Sequence, residues 1–261
     1  MKYLRLFNKT FALELSSEMA YKTNFLIKSL ALITADLIGP LVTLLIYNNS
    51  SGIPGWSFEE FLLFQGTFVF IMGLSHFSLI MLPYRVIDNV REGTFDKVLI
   101  KPYNPLLYLS FTSVDLEGLA EVFAGLFLIV YSFIKLNLIL FSFNSLFYIF
   151  LVVIGFIFLY SVFVLMSALA FLFVKSFGLF DLFFKIMDVG RYPITIYEGG
   201  MRFLFTFIIP IGIVSFYPAS VLIRGLNLLT VIEIIIPISL FLIFSIWMWN
   251  RAIKKYTSAG G

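Results

Sequence analysis

Cysteine is absent from this chain, and histidine occurs once, at position 76. Without thiols, a disulfide framework, a thiolate metal site and a cysteine nucleophile are all excluded. A single imidazole cannot supply the ligands of a structural zinc site. The motifs GxxxxGK[ST], GxGxxG, HExxH and GxSxG are also missing. We therefore expect no catalytic residues, no bound cofactor and no metal site in this chain.

Charge is scarce as well. Only 13% of the 261 residues are charged, whereas a soluble domain carries about 25%. Hydrophobic residues make up 61%, and 33 residues are phenylalanine. This balance excludes an ordinary soluble enzyme and a disordered chain. It predicts an all-α integral membrane protein, because a chain in lipid must satisfy its backbone hydrogen bonds internally.

Six stretches with few charges predict transmembrane helices, since one span needs about 20 apolar residues. They lie at about 25–47, 60–82, 113–134, 145–174, 203–218 and 228–250. The fifth is short and contains Pro210 and Pro218, so we expect it to be broken or to enter and return from the outer side. The spans form one domain over residues 1–256. Residues 257–261 look like an appended tail.

The basic residues predict the orientation of the spans. All but Lys135 and Arg224 of the 18 Lys and Arg residues lie on one side of a six-span chain. That side contains both termini and the loops 83–108 and 175–202. Because cytoplasmic loops are enriched in basic residues, both termini are expected in the cytoplasm. Within the second of these loops we predict a surface helix over about 177–189.

Two segments outside the spans have amphipathic patterns. Residues 1–22 predict an interfacial helix whose apolar positions recur every three or four residues, at Leu4, Phe7, Phe11, Leu15 and Met19. The loop 83–108 is the densest charged stretch, and an apolar patch of Val86, Ile87 and Val90 lies there beside Asp88, Arg91 and Glu92, before Gly93. The loop is either a docking element for a partner protein or a solvated connection.

Three carboxylates fall deep inside predicted spans, at Asp36, Glu121 and Glu233, while Asp115 and Glu117 lie nearer the inner surface. Ionisable groups are costly in lipid, so each carboxylate is expected either to have a functional role or to form a structural pair. In an ion-coupled carrier they would relay protons. We favour structural pairing, because carriers usually show repeated halves and no repeat is found here. Glu233 is expected to pair with Arg224 or with a helix-end dipole, and His76 to hydrogen-bond between helices. The small residues Gly118–Gly125 and Ala120–Ala124 predict close helix contact.

Two loop motifs resemble those of type-2 ABC transporter permease subunits, in the six-span branch. The first is a basic–x–Gly–x–x–Asp–x–x–Leu–x–basic–Pro–x–x–Pro pattern, which here is formed by Arg91, Gly93, Asp96, Leu99, Lys101, Pro102 and Pro105. The second is the stretch RYPITIYEGGMRFLFTFIIPIGIVSFYPASVL, whose matching positions are Arg191, Tyr192, Pro193, Ile196, Tyr197, Arg202, Pro210, Tyr217, Pro218 and Ala219. Length, span number and both loops agree with this resemblance along nearly the whole chain.

The resemblance implies the membrane subunit of an ABC exporter in the inner (cytoplasmic) membrane of a bacterial cell. Its partners would be a dimer of cytoplasmic ATPases, which bind ATP and Mg, a second permease copy or a paralogue, and the lipid bilayer, with no nucleic acid. Residues 1–22 would be the interface helix. The coupling helix would contain the ATPase-coupling residues Val86, Ile87, Asp88, Val90, Arg91, Glu92, Gly93 and Asp96. An ion-coupled secondary transporter is the alternative, and the missing catalytic motifs argue against a membrane-embedded enzyme.

Overall fold

The computed structural model describes residues 2–173, 178–225 and 227–257, and the regular structure across these residues is entirely helical. The all-α class predicted from the sequence is therefore confirmed. Some predicted elements reach beyond the described residues. These parts are position 1 of the predicted interfacial helix, residue 174 of the fourth predicted span, residues 175–177 of a predicted loop and residues 258–261 of the predicted tail. The α-helices are α1 Lys2–Ala20, α2 Lys22–Asn49, α3 Phe58–Leu79, α4 Met81–Arg91, α5 Asp96–Leu99, α6 Pro105–Thr112, α7 Gly118–Lys135, α8 Phe143–Ala170, α9 Gly178–Val189, α10 Gly199–Phe203, α11 Phe216–Arg224 and α12 Leu228–Ala252.

Five helical runs within the described residues are long and apolar enough to cross a membrane. They are Lys22–Asn49, Phe58–Arg91, Gly118–Lys135, Phe143–Ala170 and Leu229–Lys255. Each overlaps one predicted span, although the third begins at Gly118, five residues later than predicted. The second run combines α3 and α4, so it extends past the predicted end of that span at residue 82.

The predicted fifth span, at 203–218, is not one continuous helix. After α10 the chain forms a π-helical turn over Leu204–Ile208, a 3₁₀-helix over Ile211–Val214 and then α11. Pro210 lies between these turns, where its ring and missing N–H interrupt helical hydrogen bonding. Arg202 before this segment and Arg224 at its end line the same cavity. The segment therefore enters the bundle and returns to the same end, which was one of the two arrangements expected from its prolines.

Residues 178–198 run between the two ends of the bundle, instead of forming a loop on one side. Phe183 in α9 packs on Phe163 of α8, with ring centroids 5.1 Å apart. Farther along, the carbonyl of Gly190 accepts a hydrogen bond from Ser215 at 2.9 Å, beside the turning point of the returning segment. The predicted surface helix at 177–189 and loop at 175–202 are wrong in this respect. The number of membrane crossings stays a prediction.

Helices α3 and α7 touch backbone to backbone through glycines. A Cβ added at Gly118 would lie 2.3 Å from the backbone N of Phe77, and one at Gly125 would lie 2.4 Å from that of Phe70. A Cβ added at Gly66 or Gly73 of α3 would lie 2.7 or 2.6 Å from the nearest atom of α7, and on each helix the two glycines are seven residues apart. Only glycine permits this approach, so the close contact predicted at Gly118–Gly125 is confirmed.

Both chain ends lie beside the loop 83–108. Lys2 donates a hydrogen bond to the carbonyl of Pro102, and the ring of Tyr256 lies 5.4 Å from that of Phe95. We call residues 2–20, 81–112 and 249–257 the terminal end of the bundle. The opposite end comprises residues 50–57 and 136–142, together with Arg224, which donates a hydrogen bond to the carbonyl of Gly55. The shared position of the two chain ends agrees with an even number of crossings.

The predicted interfacial helix is present as α1, and its apolar residues divide between two faces. The rings of Phe7 and Phe11 each lie 6.4 Å from Phe77 of α3. Leu4 and Met19 of the predicted stripe are instead at least half exposed. One face of α1 therefore packs on the bundle and a neighbouring apolar face stays uncovered.

Candidate functional site

The charged segment at the terminal end continues directly from α3. The backbone N–H of Ile80 bonds to the carbonyl of Ser75, five residues earlier, which widens the helix at the junction with α4. Pro83 follows in the first turn of α4, where a missing N–H is tolerated. Gly93, with φ at 66°, then ends the helical run in a conformation that favours glycine.

The apolar patch of α4 faces the bundle. The side chains of Val86 and Ile87 are 0% and 4% exposed, and both belong to the hydrophobic core of the chain. Val90 is only partly buried, and it lines a small cavity with Ile87 and Phe171 after the end of α8. The prediction that Val86 and Ile87 contact a partner protein is therefore wrong, because the chain buries them against its own helices.

The exposed surface lies farther along the segment. Ile100 is 81% exposed and Leu99 is 41% exposed. Asp88 is half-exposed and its carboxylate lies 3.2 Å from the guanidinium of Arg91, one helical turn later. We call the exposed rim the set of side chains that points away from the bundle: Arg91, Glu92, Lys97, Leu99, Ile100 and Lys101.

Phe95 fixes the exposed rim to the bundle. Its side chain is fully buried, and its ring packs edge-on against Phe171 at 4.9 Å and against Tyr256 at 5.4 Å. Asp96 then begins the short helix α5, and Asn104 caps α6 by accepting a hydrogen bond from the N–H of Leu107. The rim is thus held from both sides by buried or capped residues.

Helix α1 is attached to the same segment, which the sequence did not indicate. Tyr3 accepts a hydrogen bond from the N–H of Asn104 at 3.4 Å, and Glu14 lies 3.4 Å from the guanidinium of Arg85. Glu18 lies farther along α1, and its pKa is raised by partial desolvation and by the carboxylate of Glu117. These contacts join positions about 70 to 100 residues apart, so no local pattern predicts them.

Two of the three carboxylates predicted inside spans have basic partners. Oε1 of Glu121 lies 2.9 Å from Nδ1 of His76, whose other ring nitrogen is 3.6 Å from Asp115. Asp36 lies 3.9 Å from Arg191. The expected structural pairing is found for both, and His76 makes the predicted contact between helices. Arg191 as a partner was not anticipated, because the sequence placed it in a cytoplasmic loop.

The pair of Asp36 and Arg191 borders a cavity of about 350 Å³ between α2, α3 and the end of α9. Arg191 also contacts Asp188 at 3.0 Å and lies over the ring of Phe68, with 5.1 Å from Cζ to the ring centroid. Gln65 lines the same cavity. The arrangement pairs a partly exposed cation with the more buried carboxylate of Asp36 and places polar groups along the cavity.

Glu233 lies at the opposite end, in a cavity that Arg202 and Arg224 also line. In the described part of the chain no ion pair joins Glu233 to Arg224. Arg224 instead donates to the carbonyl of Gly55 and lies 4.7 Å over the ring of Trp56. The pairing predicted for Glu233 and Arg224 is not found, because the Arg224 side chain turns toward the start of α3.

Comparison with known protein families matches residues 30–260 to the family described as ABC-2 family transporter protein. The chain belongs to the ABC-2 family. Neither a curated protein nor a solved structure gives a match. The resemblance seen in the two loop motifs is thereby confirmed.

In this ABC-2 permease the matched region covers the first long helical run from residue 30 onward, the other four runs, the exposed rim and the returning segment. It leaves out α1, which packs on the matched region through Tyr3, Phe7 and Phe11. Within the described residues there is no group of three or more His, Asp or Glu side chains placed to hold a metal ion. The exposed rim is the candidate site that is considered for function.

Proposed function

We propose that this chain is the membrane permease subunit of an ATP-driven exporter in the inner membrane of a bacterium. ATP and Mg bind to a pair of separate cytoplasmic ATPase subunits, and a second permease, identical or paralogous, completes the transporter. The terminal end is the cytoplasmic end. The observation that carries this proposal is the exposed rim, which presents charges and the 81% exposed Ile100 on a segment continuous with α3.

The rim has the chemistry of a docking surface. Ile100 and Leu99 offer apolar area, whose burial contributes about 25 cal/mol per Å². Charged side chains of both signs surround them, and interfacial charges mainly set specificity and the rate of association. The combination of two adjacent exposed apolar side chains with charges of both signs on one segment favours the docking interpretation.

The helix junction gives a route from the rim to the membrane. Phe58–Arg91 is one helical run of 34 residues, so a movement of α4 reaches α3 without a flexible loop between them. Such a transition requires that the ATPase bind the two permease conformations with different affinities. The buried Val86 and Ile87 then fasten α4 to the bundle, instead of contacting the ATPase.

The first prediction tests docking at the rim. Ile100→Asp should release the ATPase during purification or uncouple ATP hydrolysis from transport, because a carboxylate replaces the exposed apolar contact. The thermal unfolding midpoint should not change, since Ile100 packs against little of its own chain. The matched control is Ile139→Asp at the opposite end, which changes an isoleucine that is 72% exposed and should leave ATPase binding intact.

An ATPase that stays bound and coupled in Ile100→Asp would contradict docking at the rim. A secondary transporter is indicated instead if no ATPase accompanies the purified chain, and if uncouplers abolish transport while ATP remains plentiful. Asp36 and Glu121 each have a basic partner, as expected for structural pairs, and the uncoupler experiment decides whether either carboxylate also relays protons.

A further inference from the structure

A polar cavity of about 580 Å³ lies between the returning segment and α12, at the opposite end of the bundle. Its polar side chains come from both elements, and they are Arg202, Thr206, Tyr217, Ser220, Arg224, Thr230 and Glu233. Phe203 and Phe207 line the same cavity, and their side chains are 57% and 43% exposed. The cavity therefore combines polar groups with an apolar edge that is open to the surroundings of the bundle.

Its charge is unbalanced toward the positive. Two guanidinium groups face one carboxylate, and among the described residues neither Arg202 nor Arg224 forms an ion pair. Contacts to Gly55 and Trp56 position Arg224 without neutralising it. Both arginine side chains are exposed at the cavity, so an anionic ligand can reach their guanidinium groups.

A buried hydroxyl points to the same conclusion. Oγ of Ser220 is inaccessible to solvent and has no hydrogen-bond partner, although Ser220 lines the cavity. Buried polar groups in native structures are nearly always hydrogen-bonded, and a rotation of the Ser220 side chain toward the cavity would let a ligand supply the missing partner. The ligand should therefore offer a hydrogen-bond acceptor.

We propose that this cavity binds the phosphate group of an amphiphilic ligand. Arg202 and Arg224 hold the phosphate oxygens, since a guanidinium binds phosphate through two parallel hydrogen bonds. Ser220 donates a further hydrogen bond, and Phe203 and Phe207 contact the apolar part of the ligand. Glu233 disfavours a second negative charge on the head group. The proposal rests on the geometry of the opposite end and is independent of ATPase docking.

The test measures lipid retention by the purified chain, using native mass spectrometry with phosphatidylglycerol and with diacylglycerol as the probe without phosphate. Arg202→Gln should weaken phosphatidylglycerol retention by roughly tenfold or more, since one charge-assisted contact is lost. Phosphatidylglycerol retention by Arg202→Lys should lie between that of the unchanged chain and that of Arg202→Gln, because lysine keeps the charge and loses the paired hydrogen bonds. The matched control is Arg251→Gln at the terminal end, where Arg251 also lies beside a tryptophan, and it should have no effect.

Glu233→Gln should strengthen phosphatidylglycerol retention, opposite to the effect of Arg202→Gln, because it removes a negative charge from the cavity. Inorganic phosphate distinguishes the source of the ligand. If inorganic phosphate fails to displace the lipid, the ligand is a lipid head group. If phosphate alone binds in an Arg202-dependent way, the ligand is a free anion. Either outcome supports recognition of phosphate by the cavity. Equal retention by Arg202→Gln and Arg251→Gln, or equal retention of diacylglycerol and phosphatidylglycerol by the unchanged chain, overturns the proposal.

Discussion

Arg191 contacts two carboxylates in different surroundings. The side chain of Asp36 is 17% exposed and lies 3.9 Å away, whereas that of Asp188 is 65% exposed and lies 3.0 Å away. Solvent screens the exposed pair, so its contribution to stability is about 0–1 kcal/mol. The pair with Asp36 is nearer the bundle interior, where removing one partner leaves the other charge poorly solvated.

The second prediction follows from this difference. Asp36→Asn should lower the free energy of unfolding by about 2 kcal/mol, because Arg191 keeps its charge and loses its interior partner. Asp188→Asn is the matched control on the same arginine and should change stability by less than about 1 kcal/mol. Thermal unfolding of the purified chain measures both. In a double-mutant cycle, Arg191→Gln should remove most of the effect of Asp36→Asn, and additive effects would contradict the pair.

For single residues, the sequence identifies which side chains are unusual, and it does not identify their partners. Carboxylates within apolar runs predict paired or functional groups, and Asp36 and Glu121 are indeed paired. The basic partners come from distant parts of the chain, such as Arg191 for Asp36. Val86 and Ile87 were misassigned for a related reason: an apolar patch on a short helix looks the same whether a neighbouring helix or a partner protein covers it.

The returning segment is where the sequence prediction of elements fails, whereas α9 was predicted as a helix and only its placement was wrong. Residues 203–218 are apolar enough for a span, and hydropathy does not reveal where a chain turns back. Pro210 was the available signal, and it allowed both a broken span and a return. Residues 178–189 contain Asp181, Lys185 and Asp188, which made a surface helix the simplest interpretation. The long runs α2, α3, α8 and α12 carry uninterrupted hydropathy signals, which explains why they were predicted well.

The contact between α3 and α7 gives the third prediction. Gly125→Ala should lower the free energy of unfolding by about 1–3 kcal/mol, because the new methyl would lie 2.4 Å from the backbone N of Phe70. Gly200→Ala is the control, since no atom lies within 4 Å of a Cβ there. That variant should be neutral or slightly stabilising in a helix. An unchanged thermal midpoint for Gly125→Ala would mean that the two helices are not in backbone contact.

For the whole molecule, the placement of charged loops at two ends defines a topology that can be tested. The segments before α2 and after α12 lie together at the terminal end, as the excess of basic residues predicts for cytoplasmic regions. Arg202, however, lines a cavity at the opposite end with Arg224. The basic residues are therefore less asymmetric than a count over six predicted spans implies, although Lys2, Arg85, Lys97 and Lys254 keep the expected bias.

The fourth prediction uses the absence of cysteine, which makes every introduced thiol unique. Thiols placed by Ser51→Cys, Asn137→Cys and Gly200→Cys should react with an impermeant reagent added outside intact cells. Gly93→Cys should react only after the membrane is opened, because it lies at the terminal end. Protection of Gly200→Cys, with labelling of Ser51→Cys, would restore the cytoplasmic loop originally expected at 175–202. Protection of Ser51→Cys and Asn137→Cys, with labelling of Gly93→Cys, would reverse the orientation.

The glycine contact between α3 and α7 also has a mechanical consequence. Two helices whose backbones touch lack the compliant layer of side chains that lets neighbours shift independently, so the pair should tilt as a single stiff rod. Because α3 has 22 residues, its axis is about 33 Å long, and a tilt of about 5° moves its far tip by about 3 Å. The pair would then act as a lever arm. A small displacement of α4, Met81–Arg91, would change the distance between α7 and α8 at the opposite end, where residues 136–142 connect them.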